Sequence, residues 1–228
     1  MKKNVLGVKI DDVAISEVLE LVGKWLKGGG KHYIVTPNPE IVVMSQKDEE
    51  LKKIINNAEL AIPDGIGLKI SGDIENTTPG IDVLESLVEM AADWGATVGF
   101  LGGRGDVAKR TAECLKLKYP NLKVVFAESG GEINKGGNLG NLGKMDLLFV
   151  AFGPPKQEKW IAKNLDKIPV KVAMGVGGAF DYLSGRVPRA PIWIRSIGFE
   201  WLFRLVMQPW RIKRQLNLIK YIWLLLKV

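Results

Sequence analysis

Apolar residues along this chain follow two rhythms, which alternate from near the N-terminus to about residue 180. Short unbroken runs read as buried strands, and stretches spaced by three or four read as helices. The runs predict strands at 5–10, 33–35, 60–62, 97–101, 123–127, 146–152 and 170–174. The spaced stretches predict a helix from about Ser16, a good N-cap, to the glycines at 28–30. Further helices are expected at 40–46, 48–57, 82–94, 106–119 and 156–165. Pro37 and Pro39 keep the turn after the second strand extended. A glycine-rich stretch at 130–143 fits neither rhythm, and no internal repeat is found. After Pro191 the chain reads as two or three helical pieces, broken at Gly198 and Pro209.

Continuous apolar strands alternating with helices imply an α/β fold, with a Rossmann-like, mostly parallel sheet covered by helices on both faces. The expected organisation is a core at 1–190, in two lobes of about 1–80 and 81–190, and a helical C-terminal appendage at 191–228. Such a sheet binds ligands at the carboxyl ends of its strands. Thr36, Asn38, Asp64, Gly102, Gly103, Gly153 and Gly177 all stand just after a predicted strand, so polar and glycine residues converge on one edge.

The chemistry on that edge is open to several readings. Asp64, between Pro63 and Gly65, is the best-placed general base, although an Asp in such a turn also bonds its own backbone. Thr36 and Asn38 offer neutral hydrogen bonds beside it. Gln157, in the first turn of a helix after Gly153-Pro154-Pro155, suits a ribose, base or sugar hydroxyl, or else is solvated. Gly103, Gly105 and Ala108 satisfy G-x-G-x-x-A between a strand and a helix, which suits a diphosphate or a tight turn. A nicotinamide-dependent oxidoreductase is the competing reading of that loop. One histidine, His32, and one cysteine, Cys114, give no support to a His- or thiolate-bound metal or to a Ser-His-Asp or Cys-His arrangement. The same Cys114 lies in a helical pattern and reads as a structural thiol.

Charge changes the picture at the C-terminus. The whole chain carries +7, yet residues 186–228 hold nine Lys or Arg against one acid, Glu200. Four of the seven tryptophans lie there too, interleaved with large aliphatics. That mixture suits an anionic membrane surface better than nucleic acid, and no apolar run approaches the ~20 residues that span a bilayer. A buried helix or a homo-oligomer contact would use the same surface. Arg204, Arg211 and Arg214 share one helical face if Pro209 only kinks the helix, and three guanidinium groups suit a pyrophosphate. No secretory signal is expected, because Asp11 and Asp12 interrupt the N-terminal apolar pattern.

Taken in order, several segments resemble the TagA/WecG/CpsF family of bacterial glycosyltransferases. They are Thr36-Pro37-Asn38-Pro39-Glu40, Pro63-Asp64-Gly65, Pro79-Gly80-Ile81-Asp82, the segment from Gly153 to Trp160, and the segment from Gly175 to Asp181. The tail adds Arg189-Ala190-Pro191, Glu200 to Arg204 and Pro209 to Arg214. The resemblance implies inverting transfer of a UDP-linked sugar, N-acetylmannosamine in one branch, onto undecaprenyl-diphosphate-N-acetylglucosamine. It implies no metal or other cofactor, and an enzyme peripheral on the cytoplasmic face of the membrane. By the family pattern Asp64 is the base, Thr36, Asn38 and Gln157 line its pocket, and Arg204, Arg211 and Arg214 hold diphosphate charge. Gly102, Gly103, Gly153, Gly177 and Asp181 are the expected nucleotide-binding positions. Thr77-Thr78 replaces an Arg-Val pair that members commonly carry, and 130–143 replaces a usual helix.

Overall fold

A computed structural model describes residues 2–134, 142–209 and 212–227, without the side chains at 132, 134 and 213–215. The chain opens with β1 (Lys2–Val5) and β2 (Val8–Asp11), then α1 (Ile15–Lys27) and β3 (His32–Val35). Two short helices follow, α2 (Pro39–Ser45) and α3 (Glu49–Asn57), before β4 (Leu60–Ala61) and a 3-10 segment, Ile66–Ser71. Next come α4 (Gly80–Trp94), β5 (Thr97–Gly102), α5 (Val107–Lys118), β6 (Lys123–Glu128) and a single turn, α6 (Gly131–Asn134). The core closes with β7 (Met145–Ala151), α7 (Lys156–Asn164), β8 (Val170–Gly175) and α8 (Ala179–Leu183). The tail contributes α9 (Ile192–Ser196), α10 (Glu200–Met207) and α11 (Ile212–Leu225).

Strands β3 to β8 form one parallel sheet in the order β4-β3-β8-β7-β5-β6. Strands from either side of residue 80 lie side by side in it, joined where β3 pairs with β8. The pleat sorts the core. In β7, Leu147 and Phe149 pack with α1, α4, α5 and α8 on one face, while Leu148 and Val150 pack with Trp160 and Ile161 of α7 on the other. A third cluster, around Val35, Val42, Leu51 and Ile55, lies at the β4 end.

The first predicted strand is in fact a hairpin. Val5 pairs with Val8, leaving a two-residue turn at Leu6-Gly7 in which both backbones take positive φ. Leu6 is an unusual residue for that conformation, so the turn carries no local signal and Val5, Val8 and Ile10 read as one run. The hairpin guards the sheet: the Ala61 N–H on the edge strand donates to Asp11 Oδ2 at 2.9 Å. Helix α1 begins earlier than Ser16 suggests, with Ala14 at the cap position and its N–H bonded to Glu17 Oε2 at 2.8 Å. Cys114, read as a structural thiol, is exposed on α5. Of the stretch 130–143, residues 135–141 lie outside the described residues.

The tail is no loose addition. Helix α11 packs along α2, and Tyr221 is fully buried in the third cluster with Leu218 and Leu225 against it. Its other side exposes Leu216, Ile219 and Trp223. Tyr221→Ala is therefore expected to lower stability by about 3 kcal/mol, whereas Trp223→Ala changes it by roughly 0.5 kcal/mol or less. Urea unfolding of both variants checks this.

Candidate functional site

The carboxyl ends of β3, β4 and β8 open into a cleft of about 750 Å³, roofed by α9 and α10. Thr36, Asn38, Asp64, Gln157, Gly177 and Arg204 all line it, so six of the sequence-derived candidates meet in one place.

Asp64 follows β4 on a turn pinned from both sides. Its N–H donates to the Pro37 carbonyl at 2.9 Å, and the Thr78 N–H donates to the Pro63 carbonyl at 2.8 Å. One carboxylate oxygen accepts the Gly80 N–H at 3.2 Å. Burial pushes the Asp64 carboxyl up from 3.8 to about 6. The Gly80 N–H and Arg204 pull it down, while Glu200 and Asp82 push it further up. A carboxylate so placed ionises near neutrality and has little other hydrogen bonding to give up, which suits a general base.

The other side chains are more occupied than their positions suggest. Thr36 is buried, and its hydroxyl donates to the Gly175 carbonyl at 3.1 Å, tying β3 to β8 and leaving only lone pairs for a ligand. Asn38 caps α2 through Oδ1, which accepts the Ile41 N–H at 3.0 Å, so its amide N–H₂ is the free end. Gln157 makes three hydrogen bonds. Its Oε1 accepts from Gly153 at 3.1 Å and Gly177 at 2.9 Å, and its Nε2 donates to Glu158 at 2.8 Å. Burial raises the Glu158 carboxyl to about 6. Gln157 thus clamps the loops after β7 and β8 while itself lining the cleft.

The Arg204 guanidinium sits over the Tyr182 ring, 4.6 Å from its centroid, and Nη2 reaches the Gly178 carbonyl at 3.3 Å. A Cβ at Gly178 would stand 2.3 Å from that nitrogen, so only glycine lets the guanidinium settle there. Arg204 and Arg214 do not share the one helical face expected for them. Gln208, before Pro209, leaves helical geometry at φ −136° and ψ 73°, so Arg204 and Arg214 stand on different helices. Arg211 lies outside the described residues, as does the Arg214 side chain.

Gly102, Gly103, Gly153 and Asp181 do not line the cleft. A Cβ on Gly102 would sit 2.7 Å from the Ala151 backbone, and the Gly103 N–H donates to the Ala151 carbonyl at 3.0 Å. That loop is a close strand contact, and the dinucleotide reading of Gly103-x-Gly105 finds no support. The Asp181 carbonyl accepts from Val187, so its backbone closes the turn after α8.

The sequence reading assigned no site role to Arg195, Glu200 or Tyr182, which line the cleft, and marked Thr77, which joins them, only as a departure from the family pattern. Just behind them Arg189 donates to Asp82 at 2.6 Å and to Glu200 at 3.2 Å. No local spacing marks these side chains, since α4, α8 and the tail meet only in the fold. Thr77 and Thr78 differ in use: Thr78 donates to the Val13 carbonyl, while the Thr77 hydroxyl is buried without a partner. Among the described residues no group of three or more His, Cys, Asp or Glu is placed to hold a metal ion.

A desolvated carboxylate facing a guanidinium, at the carboxyl edge of a parallel sheet, is the apparatus of a group-transfer enzyme. The comparisons with known proteins say which kind. Residues 3–228 match the model of the glycosyl transferase WecG/TagA/CpsF family, and the chain belongs to that family. A Bacillus subtilis (strain 168) relative, N-acetylglucosaminyldiphosphoundecaprenol N-acetyl-beta-D-mannosaminyltransferase, is 32% identical over 212 residues, covering 86% of this chain and 83% of its own. Relatives of the same name from Bacillus spizizenii and Staphylococcus aureus (strain MRSA252) are 31% and 30% identical. They cover 96% and 93% of this chain, and 88% and 87% of their own.

The raised Asp64 value has a consequence for stability. Ionising this carboxyl is harder in the folded chain than in the unfolded one, so charge on Asp64 costs stability as pH rises from 3.8 through about 6. Asp64→Asn is therefore expected to melt higher than wild type at pH 7.5, with the gap closing by pH ~4. Thermal melts at both pH values check the sign.

Proposed function

We propose that this glycosyltransferase moves N-acetylmannosamine from UDP onto N-acetylglucosamine carried on undecaprenyl diphosphate, with inversion, in the assembly of a teichoic acid-type surface polymer. The observation that carries the reading is Asp64, a carboxylate raised to about 6 in a cleft shared with Arg204. The donor and acceptor are those in the names of the relatives and in the family pattern. An acceptor hydroxyl attacks the anomeric carbon while Asp64 takes its proton. The bond to UDP breaks on the opposite side, and the charge that builds on the departing diphosphate is met by Arg204. Arg211 and Arg214 join it by the family pattern. In this scheme guanidinium groups do the work of a metal, so none is required.

The acceptor's lipid sets the enzyme's place, peripheral on the inner face of the cytoplasmic membrane. No helix among the described residues is long and apolar enough to cross a membrane. Instead α9, α10 and α11 expose Trp193, Val206, Ile219 and Trp223 within the basic tail. Aromatic and aliphatic side chains with cations between them suit the headgroup layer. The same surface would also serve a homo-oligomer contact.

Asp64→Asn is expected to keep UDP affinity and lower turnover by roughly 10²–10⁴. Product mass from a panel of UDP-sugars with a lipid-diphosphate acceptor measures the loss and identifies the sugar. Wild-type turnover in that variant at saturating substrate removes Asp64 from the mechanism. Replacing Trp193 and Trp223 together by alanine is expected to weaken flotation with anionic liposomes without changing the melt. Unchanged flotation places the membrane contact elsewhere.

A further inference from the structure

Cation and anion are unevenly matched around the cleft. Asp82 and Glu200 both have their closest cation in Arg189, which sits behind the roof. Arg195 of α9 approaches Asp82 only to 3.9 Å and lines the cleft itself. Its Nε is buried and has no hydrogen-bond partner. Arg204 repeats the pattern one helix later, with its own Nε buried and unpartnered. The Thr77 hydroxyl, in the same cleft, is a third buried group without a partner. Buried donors are normally satisfied, and leaving one unpaired is costly. Three such groups around one cleft, two of them on guanidinium forks, reserve donor capacity for a single ligand rich in acceptor oxygens.

We infer that Arg195 is a second anchor for a substrate diphosphate, gripping it together with Arg204 while Thr77 donates a neutral hydrogen bond. This rests on the glycosyltransferase reading and deepens it, because it puts the diphosphate under the roof helices and away from the Gly102–Gly105 loop. The chemistry asks for that placement. Base and leaving group must flank one anomeric carbon, and the cleft that holds Asp64 does not include Gly102 or Gly103. A purely structural Arg195 would serve Asp82, yet Asp82 is already bound by Arg189 at 2.6 Å. A diphosphate could belong to the nucleotide donor or to the lipid acceptor, and both present the same oxygens to the two forks.

Calorimetric titration of the full chain with UDP, and separately with a short-chain prenyl-diphosphate sugar, distinguishes these sources. Arg195→Ala is expected to weaken binding of one of the two by about tenfold or more, the usual size for a charged hydrogen-bond partner. The ligand affected identifies the source. Arg195→Lys recovers only part of the loss, since a lysine keeps the charge and loses the fork. Should the alanine variant fail to fold, Arg195→Gln, which keeps the length of the side chain, carries the same test. Affinities for both ligands within about twofold of wild type overturn the inference and leave the glycosyltransferase reading standing. If wild type binds neither ligand, that reading falls and takes this one with it.

Discussion

Arg189 holds Asp82 of α4 and Glu200 of α10 with one guanidinium, and the cleft depends on that double contact. It fixes the roof of the tail over the carboxyl ends of β3, β4 and β8. The pair is only partly exposed, and removing one member of such a group leaves the others charged and half-buried. Arg189 also decides the electrostatics next door. With Asp82 and Glu200 bound by Arg189, Arg195 stays 3.9 Å from Asp82 and lines the cleft beside Arg204, and the effect of the two acids on Asp64 is to raise it.

The base of the proposed reaction needs to be dry enough to take up a proton near neutrality, yet reachable by substrate. The fold meets the first demand with the roof and the second with small residues. Gly80 and Gly178 let Thr36 and Arg204 approach, and their own backbones serve as donor to Asp64 and acceptor for Arg204. Behind the surface Gln157 ties the loops of β7 and β8 together, and the buried Glu158 fixes its amide. In the proposed reaction this makes a preorganised wall, the kind of surface that stabilises a transition state over the ground state.

The tail has two faces with different tasks. Tyr221 and Leu218 anchor α11 to α2, so the helix belongs to the core on that side. Opposite them Leu216, Ile219 and Trp223 remain exposed. An enzyme acting on a lipid-linked acceptor gains from this division. Under the proposed function, the roof helices stand over Asp64 while the outer side of α11 is the surface offered to the layer that carries the substrate.

The sequence by itself determined the parallel sheet, because four-to-seven-residue apolar runs between amphipathic helices admit few other solutions. It also placed Thr36, Asn38, Asp64 and Gly177, since each follows a strand and strand ends share one edge. The tertiary structure decided the rest. Leu6-Gly7 turns a strand into a hairpin through a conformation that Leu rarely takes. Gln157 became a clamp, and the Gly102–Gly103 loop became a strand contact, because partners at Gly177 and Ala151 lie far away in sequence. Arg195, Glu200, Tyr182 and Thr77 reach the cleft only when α8, α9, α10 and the turn before α4 are packed together. Periodicity records which face of an element is buried; it carries no information about which distant side chain will be found there.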